Sequence, residues 1–202
     1  MRSLFVKLSA VLLVLSSGSA LPVTTAGRSP FAPQDSLTRR AQQITGDRFR
    51  FESRSPKGVR ILSVNRPPAE MLRAIDQGFT DLFAVARKRN YRNRLNHSDY
   101  TVFIAKADRT KDSAGNYSPD IATPAGQYAG SVYDQGGFVY AAGQVLGNSP
   151  SGFVFAEHDR SLNRVSDIVR FEGEHIVLYH NDRRLYQQTA DHSQGGGHPI
   201  LK

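Results

Sequence analysis

The sequence predicts an α+β fold with a small mixed or antiparallel sheet, a backing helix and a C-terminal helix that carries the functional site. Three observations predict it. One helical period follows a proline pair at residues 67–68, and a second spans residues 163–188. Between them, short apolar runs are separated by turns rich in glycine and proline, which is typical of strands. The predicted order is strand, helix, strand, hairpin, strand and C-terminal helix.

The N-terminal segment, MRSLFVKLSAVLLVLSSGSA, is typical of a secretory signal. Arg2 and Lys7 precede a short apolar run, and small residues follow it. The run is much shorter than the roughly 20 residues of a membrane-spanning helix, so we expect no membrane span. Cleavage after Ala20 or after Ala26 fits the pattern. The mature protein is therefore expected to be secreted or periplasmic.

The composition predicts one globular domain behind a leader. Residues 27–47 are rich in Pro, Ser, Thr and Gly without a sustained period, so we expect a flexible leader there and a single domain over residues 48–202. The chain has no cysteine, so burial or a metal, rather than disulfides, has to hold an exported domain of this size. Its formal charge of +8 would fall to +6 without the signal. Such a surface suits anionic polymers or is simply solvated.

The first predicted helix is the backing helix, over residues 67–90. Its apolar residues recur at spacings of three and four after the proline pair. Gly78 inside it costs roughly 1 kcal/mol relative to alanine, which indicates a close approach to another element. Before it, alternating apolar residues from Phe49 to Val64 predict short strands.

Three further segments predict strands. DYTVFIAKAD has the apolar run of a buried strand, and SGFVFAEHD supplies another. QYAGSVYDQGGFVYAAG predicts a hairpin in which residues 128–133 and 138–142 pair around a turn at residues 134–137.

The segment over residues 163–188 decides how the C-terminal region is interpreted. Its apolar residues repeat at threes and fours, which favours a helix. A hairpin folded at Asn181 and Asp182 is the alternative, because Ile, Val, Leu and Tyr in a row suit a strand and Gly173 weakens a helix.

Four of the six histidines lie in the last 33 residues. On a helix, Glu172 and His175 are neighbours on one face and could share an ion. His180 lies about 140° further round the axis and could not join them. His192 and His198 follow the helix, on a segment that three glycines loosen, and could fold back over that face.

The order of elements and the segment FEGEH over residues 171–175 resemble the zincin metallopeptidases, whose motif is H-E-x-x-H. The resemblance implies that Glu172 is the general base and His175 a zinc ligand. Phe171 stands where the family has its first histidine. The resemblance therefore implies a secreted zincin-like peptidase or a relative that has lost catalysis.

A catalytic zinc keeps three protein ligands and one open position. The missing nitrogen is expected from His192 or, as weaker choices, from His198 or His158, and Glu172 could itself become a ligand. Imidazole and carboxylate ligands without thiolate suit Zn²⁺, and also Mn²⁺ or Ni²⁺.

Two other functions stay open on the sequence alone. A basic, tyrosine-bearing surface could bind an anionic envelope polymer without catalysis, and YHND on a basic chain could serve a metal-dependent nuclease. The expected partners are therefore a peptide or an anionic polymer, without specific nucleic-acid recognition.

Overall fold

A computed structural model describes residues 35–106, 120–157, 161–192 and 196–201. The predicted signal and His158 lie outside these ranges, and so does the leader up to residue 34. No helix in the described ranges combines the length and the hydropathy that crossing a membrane requires.

The described residues form an α+β fold, as the sequence predicts. The helices are α1 (Ser36–Thr45), α2 (Ala69–Lys88), α3 (Leu162–Asn181) and α4 (Arg183–Thr189). The strands are β1 (Phe51–Arg54), β2 (Arg60–Ser63), β3 (Tyr100–Ala105), β4 (Ile121–Pro124), β5 (Phe138–Ala141), β6 (Gly143–Asn148) and β7 (Ser151–Ala156).

Five strands form a mixed sheet in the order β1-β2-β3-β7-β6. The central strands β2, β3 and β7 run parallel, and β1 and β6 pair antiparallel at the two edges. Strands β4 and β5 form a separate antiparallel pair. The central strands are buried on both faces, which explains why β3 and β7 read as continuous apolar runs.

The two faces of the sheet carry different apolar clusters. On one face, side chains of α2 and α3 pack against Val102 and Phe153. On the other face, Leu37 of α1 packs among neighbours that include Phe103 and Val154. Successive residues of β3 and β7 therefore point to opposite layers, with the two long helices on one side and α1 on the other.

Helices α2 and α3 approach closely at two glycines, as predicted for Gly78. A Cβ on Gly78 would lie 2.6 Å from the backbone oxygen of Ser166, and one on Gly173 would lie 2.7 Å from Leu82 Cδ2. Side chains at these two positions would push the helices apart. The close approach fixes the position of α3, which carries the predicted site.

The backing helix and the C-terminal helix are confirmed. The segment predicted as helical over residues 163–188 contains α3 and α4, separated only at Asp182. The alternative hairpin at Asn181 and Asp182 is wrong, because Asp182 ends α3 and its side chain caps α4 by accepting from Leu185 N.

The predicted hairpin over residues 128–142 is also wrong. Strand β5 pairs with β4 instead, and the chain before it turns through residues 129–137. Asp134 accepts hydrogen bonds from Gly130 N at 2.7 Å and from Gly137 N at 2.6 Å. These bonds satisfy loop donors locally, so the loop does not need the strand ladder.

The predicted leader is wrong for its second half. Residues 36–45 form α1, whose Leu37 and Ala41 are buried. Asp35 caps the helix, accepting from Thr38 N at 2.8 Å, and Gly46 ends it in the left-handed conformation. The folded domain therefore includes a helix that starts about a dozen residues before the predicted start at residue 48.

Candidate metal centre

Three histidines from three successive segments converge beside α3. His175 lies on α3, next to the fully buried Ile176. His192 follows α4, and His198 is in the C-terminal segment, defined as residues 196–201. The convergence requires the chain to fold back after α4, as the sequence predicts from its glycines.

Gly196 makes this return possible. A Cβ at residue 196 would collide with the carbonyl oxygen of Thr189 and would lie 2.5 Å from that of Asp191. The Gly196 amide also donates to the Asp191 oxygen at 3.0 Å. Only glycine allows the backbone to pass this close to the end of α4.

The imidazoles of His175, His192 and His198 could hold a metal ion. One nitrogen from each lies within 4.8 Å of the others. The ring centroids are 5.0 to 5.1 Å apart. Zinc–nitrogen bonds of about 2.0–2.1 Å place ligand nitrogens about 3.3 Å apart in a tetrahedron, so the group would contract around an ion.

The surroundings favour the neutral form of two of these imidazoles, those of His175 and His192. Burial lowers the pKa of His175 to about 3, and repulsion from His198 and His192 adds to this effect. Burial, followed by repulsion from His198, also lowers the pKa of His192, although Asp191 and Glu174 oppose the shift. Neutral imidazoles have a free nitrogen lone pair at neutral pH, as metal ligation requires.

A buried carboxylate adjoins the group. Glu174 is fully buried on α3, and its Oε2 lies 3.5 Å from Nδ1 of His198. Its other oxygen accepts a hydrogen bond from the backbone N–H of Ile200 at 2.9 Å. Glu174 therefore touches both the side chain of His198 and the backbone beyond it.

Phe171 lies beside the group rather than within it. Its ring stacks on the imidazole of His198, with centroids 4.6 Å apart and planes at 27°. The position that holds the first histidine of the zincin motif is thus one helical turn from His175 and packs against His198.

Glu172 is not a member of the three-residue group. Its side chain packs towards β6, where a Cβ on Gly143 would lie 2.9 Å from Glu172 Cγ. Burial raises the pKa of Glu172 to about 8. Its assignment as a ligand or as a general base stays a prediction.

The side chains of His180 and Asp182 form hydrogen bonds away from the three histidines. His180 Nε2 lies 2.7 Å from the carbonyl oxygen of Asn148, to which it donates because a carbonyl only accepts. Asp182 caps α4 and accepts from the hydroxyl of Tyr91 at 3.3 Å. The position of His180 agrees with the sequence prediction that it lies outside the site.

Glu174 is the residue that the sequence analysis missed. The sequence indicates only that Glu174 lies on the buried face of the helix, because Val177 and Leu178, three and four residues further on, are apolar and buried. A carboxylate on the buried face of a helix needs a partner, which indicates a polar site.

Comparison with known protein families, with curated proteins and with solved structures gives no match. The zincin resemblance is thus neither supported nor contradicted by a relative.

Proposed function

We propose that this protein binds a divalent transition-metal ion, most favourably Zn²⁺, through His175, His192 and His198 and uses it for hydrolysis. The observation that carries the proposal is the approach of three nitrogens to within 4.8 Å of one another, two of them on imidazoles with a lowered pKa. Three nitrogen ligands and one open position are typical of a catalytic zinc rather than a structural one.

In the proposed site the bound ion, the exposed ligand and a nearby carboxyl would have different roles. A bound ion of this kind lowers the pKa of a coordinated water and so provides a nucleophile at neutral pH. His192 is exposed, which leaves one side of the group open to water and substrate. Burial raises the pKa of Glu172 to about 8, so this carboxyl is mostly protonated at neutral pH, and the general-base role that the zincin resemblance implies would use its ionised fraction.

The ligand set differs from the one that the zincin motif implies. In place of the first motif histidine, Phe171 supports the ring of His198. We infer a rearranged site, with one ligand on the helix and two after it. Together with the predicted export signal, this favours a secreted metal-dependent hydrolase, for which a peptide is the first substrate to test.

The first test is metal content and thermal melting of purified protein, with chelator and with added Zn²⁺. We expect one ion per chain, and a stabilisation of about 2.7 kcal/mol when free Zn²⁺ is 100 times its Kd. His175→Ala and His198→Ala should lose this stabilisation. His180→Ala is the matched control, because its ring binds a backbone carbonyl and not the group.

Hydrolysis is tested separately with casein and with DNA. Zinc-dependent cleavage of casein that His175→Ala abolishes would support the peptidase, and cleavage of DNA alone would favour the nuclease. A wild-type melting temperature that neither chelator nor Zn²⁺ changes, with no metal in the purified protein, would refute the metal site.

A further inference from the structure

The C-terminal segment is attached to α3 through one buried carboxylate. Glu174 has no exposed surface, and its Oε1 accepts from Ile200 N at 2.9 Å. Its Oε2 is buried and has no hydrogen-bond partner among the described residues. An unpartnered carboxylate oxygen in this environment is costly, so a nearby donor is expected to compensate it.

His198 can supply this donor. Its Nδ1 is also buried without a hydrogen-bond partner in the described ranges, and it lies 3.5 Å from Glu174 Oε2. A small rotation of the ring would bring the two atoms to the 2.7–3.2 Å of an ordinary hydrogen bond. The two unsatisfied atoms therefore complement each other.

This pairing has a consequence for metal binding. A neutral imidazole carries its proton on one nitrogen and a lone pair on the other. If Nδ1 donates to Glu174, the lone pair is on Nε2, at the opposite side of the ring. Ligand histidines in proteins are commonly oriented in this way by a carboxylate.

We propose that Glu174 is the positioning residue of the metal centre. It holds the His198 imidazole with the proton on Nδ1 and Nε2 free for the ion, and it fixes the backbone of the C-terminal segment through Ile200. The proposal rests on the proposed metal site and adds a residue that does not itself bind the ion.

The position of Ile200 explains why Glu174 can both orient His198 and hold the C-terminal segment. Its side chain is 1% exposed and belongs to the apolar cluster between the sheet and the helices α2 and α3. The hydrogen bond from its backbone to Glu174 places His198, two residues earlier, over the same carboxylate. Docking of the segment and orientation of the ring therefore depend on one side chain.

The decisive variant is Glu174→Gln, which keeps the shape of the side chain. The Ile200 N–H only donates, so it selects the orientation in which the glutamine oxygen faces it. The glutamine NH₂ group then faces His198 Nδ1 and donates to it. The imidazole proton must move to Nε2, which removes the free nitrogen while the segment stays docked.

We expect Glu174→Gln to weaken Zn²⁺ binding about 10- to 100-fold and to leave the melting temperature of the metal-free protein nearly unchanged. Glu70→Gln is the matched control, because Glu70 is exposed on α2 and its carboxylate pairs with the exposed Arg73 at 3.5 Å. It should bind Zn²⁺ like wild type. A purely structural role for Glu174 would instead lower the metal-free melting temperature and leave the affinity unchanged.

A second measurement needs no variant. Long-range ¹H–¹⁵N spectra of metal-free wild-type protein report which nitrogen of His198 carries the proton. A proton on Nδ1 supports the proposal, and a proton on Nε2 overturns it. Wild-type protein that binds no metal overturns the proposed function, whereas equal Zn²⁺ affinity in wild type and Glu174→Gln overturns only the role of Glu174.

Discussion

Two parts of the domain pack against the rest of the fold in different ways. One is the layer formed by the helices α2 and α3, and the other comprises the two terminal segments, α1 and the C-terminal segment. The two long helices bury many apolar side chains between each other and the sheet. Helix α1 buries Leu37 and Ala41 and is capped by Asp35, and the C-terminal segment buries Ile200 and is held by Glu174. Each terminal segment thus combines a few apolar side chains with one carboxylate.

This difference has a physical consequence. A layer with many buried contacts unfolds with the whole domain, whereas a segment with few contacts can open locally at lower free energy. The candidate metal centre takes His175 from the layer and His198 from a terminal segment. A bound ion would therefore stabilise mainly the segment, since it connects the segment to a helix that is already fixed.

The largest expected effect concerns the layer. Phe79 is fully buried, and its ring lies 4.4 Å from that of Tyr100 and 5.9 Å from that of Phe153. Phe79→Ala should lower the free energy of unfolding by about 3–5 kcal/mol, because it leaves a cavity in the core. Urea unfolding with and without Zn²⁺ measures this loss, and we expect Zn²⁺ not to restore it.

Phe138→Ala is the control for this prediction. Phe138 is 50% exposed on β5, so its removal should change stability by less than about 0.5 kcal/mol. Equal losses for the two variants would contradict the assignment of the core to the α2–α3 layer.

The second effect concerns the C-terminal segment. An isoleucine-to-alanine change in a rigid core costs about 2–5 kcal/mol. We expect Ile200→Ala to cost less than this in metal-free protein, because local opening of the segment limits the loss. With Zn²⁺ present the loss should grow, since the ion favours the closed segment in wild type.

Urea unfolding of Ile200→Ala and wild type, each with chelator and with saturating Zn²⁺, measures both losses. Equal losses in the two conditions would show that the segment unfolds with the core and that metal binding does not depend on its docking.

The contrast between the α2–α3 layer and the terminal segments also explains which parts of the structure can be predicted from the sequence. The helical period of α2 and α3 reflects the many apolar contacts of the layer, so both helices and the close approach at Gly78 follow from the sequence. Of the candidate metal centre, His175, His192 and His198 are indicated by the density of histidines near the C-terminus and by the glycines that allow the chain to return.

The terminal segments could not be predicted in this way. In α1, residues 36–45, polar residues outnumber the two that anchor the helix in the core, and the anchoring contact from Asp35 to Arg60 spans 25 residues of sequence. Glu174 likewise contacts residues 24 and 26 positions away. Polar contacts over such separations leave no periodicity in the sequence, so the sequence predicts neither the helix before residue 48 nor the role of Glu174.

The smallest effect concerns the carboxylate that holds α1. Asp35 caps the helix through Thr38 N, and its other oxygen accepts from Arg60 Nη1 at 2.9 Å. Asp35→Ala should cost about 1 kcal/mol at pH 7, which is typical of a lost N-cap. Asp35→Asn should cost less, because asparagine caps a helix equally well and only the partly exposed ion pair is lost.

The pH dependence separates the two contributions. Burial acts to raise the pKa of Asp35, but hydrogen bonds from Arg60 and Thr38 outweigh it and hold the pKa below its ordinary value of 3.8. A carboxyl with a lowered pKa in the folded state contributes stability above its unfolded pKa and loses it as the pH falls through the folded value. The difference between wild type and Asp35→Asn in urea should therefore be present at pH 7 and shrink below about pH 3.8. A difference that stays constant down to strongly acidic pH would mean that the charge of Asp35 does not hold α1 to β2, and that α1 depends on Leu37 and Ala41 alone.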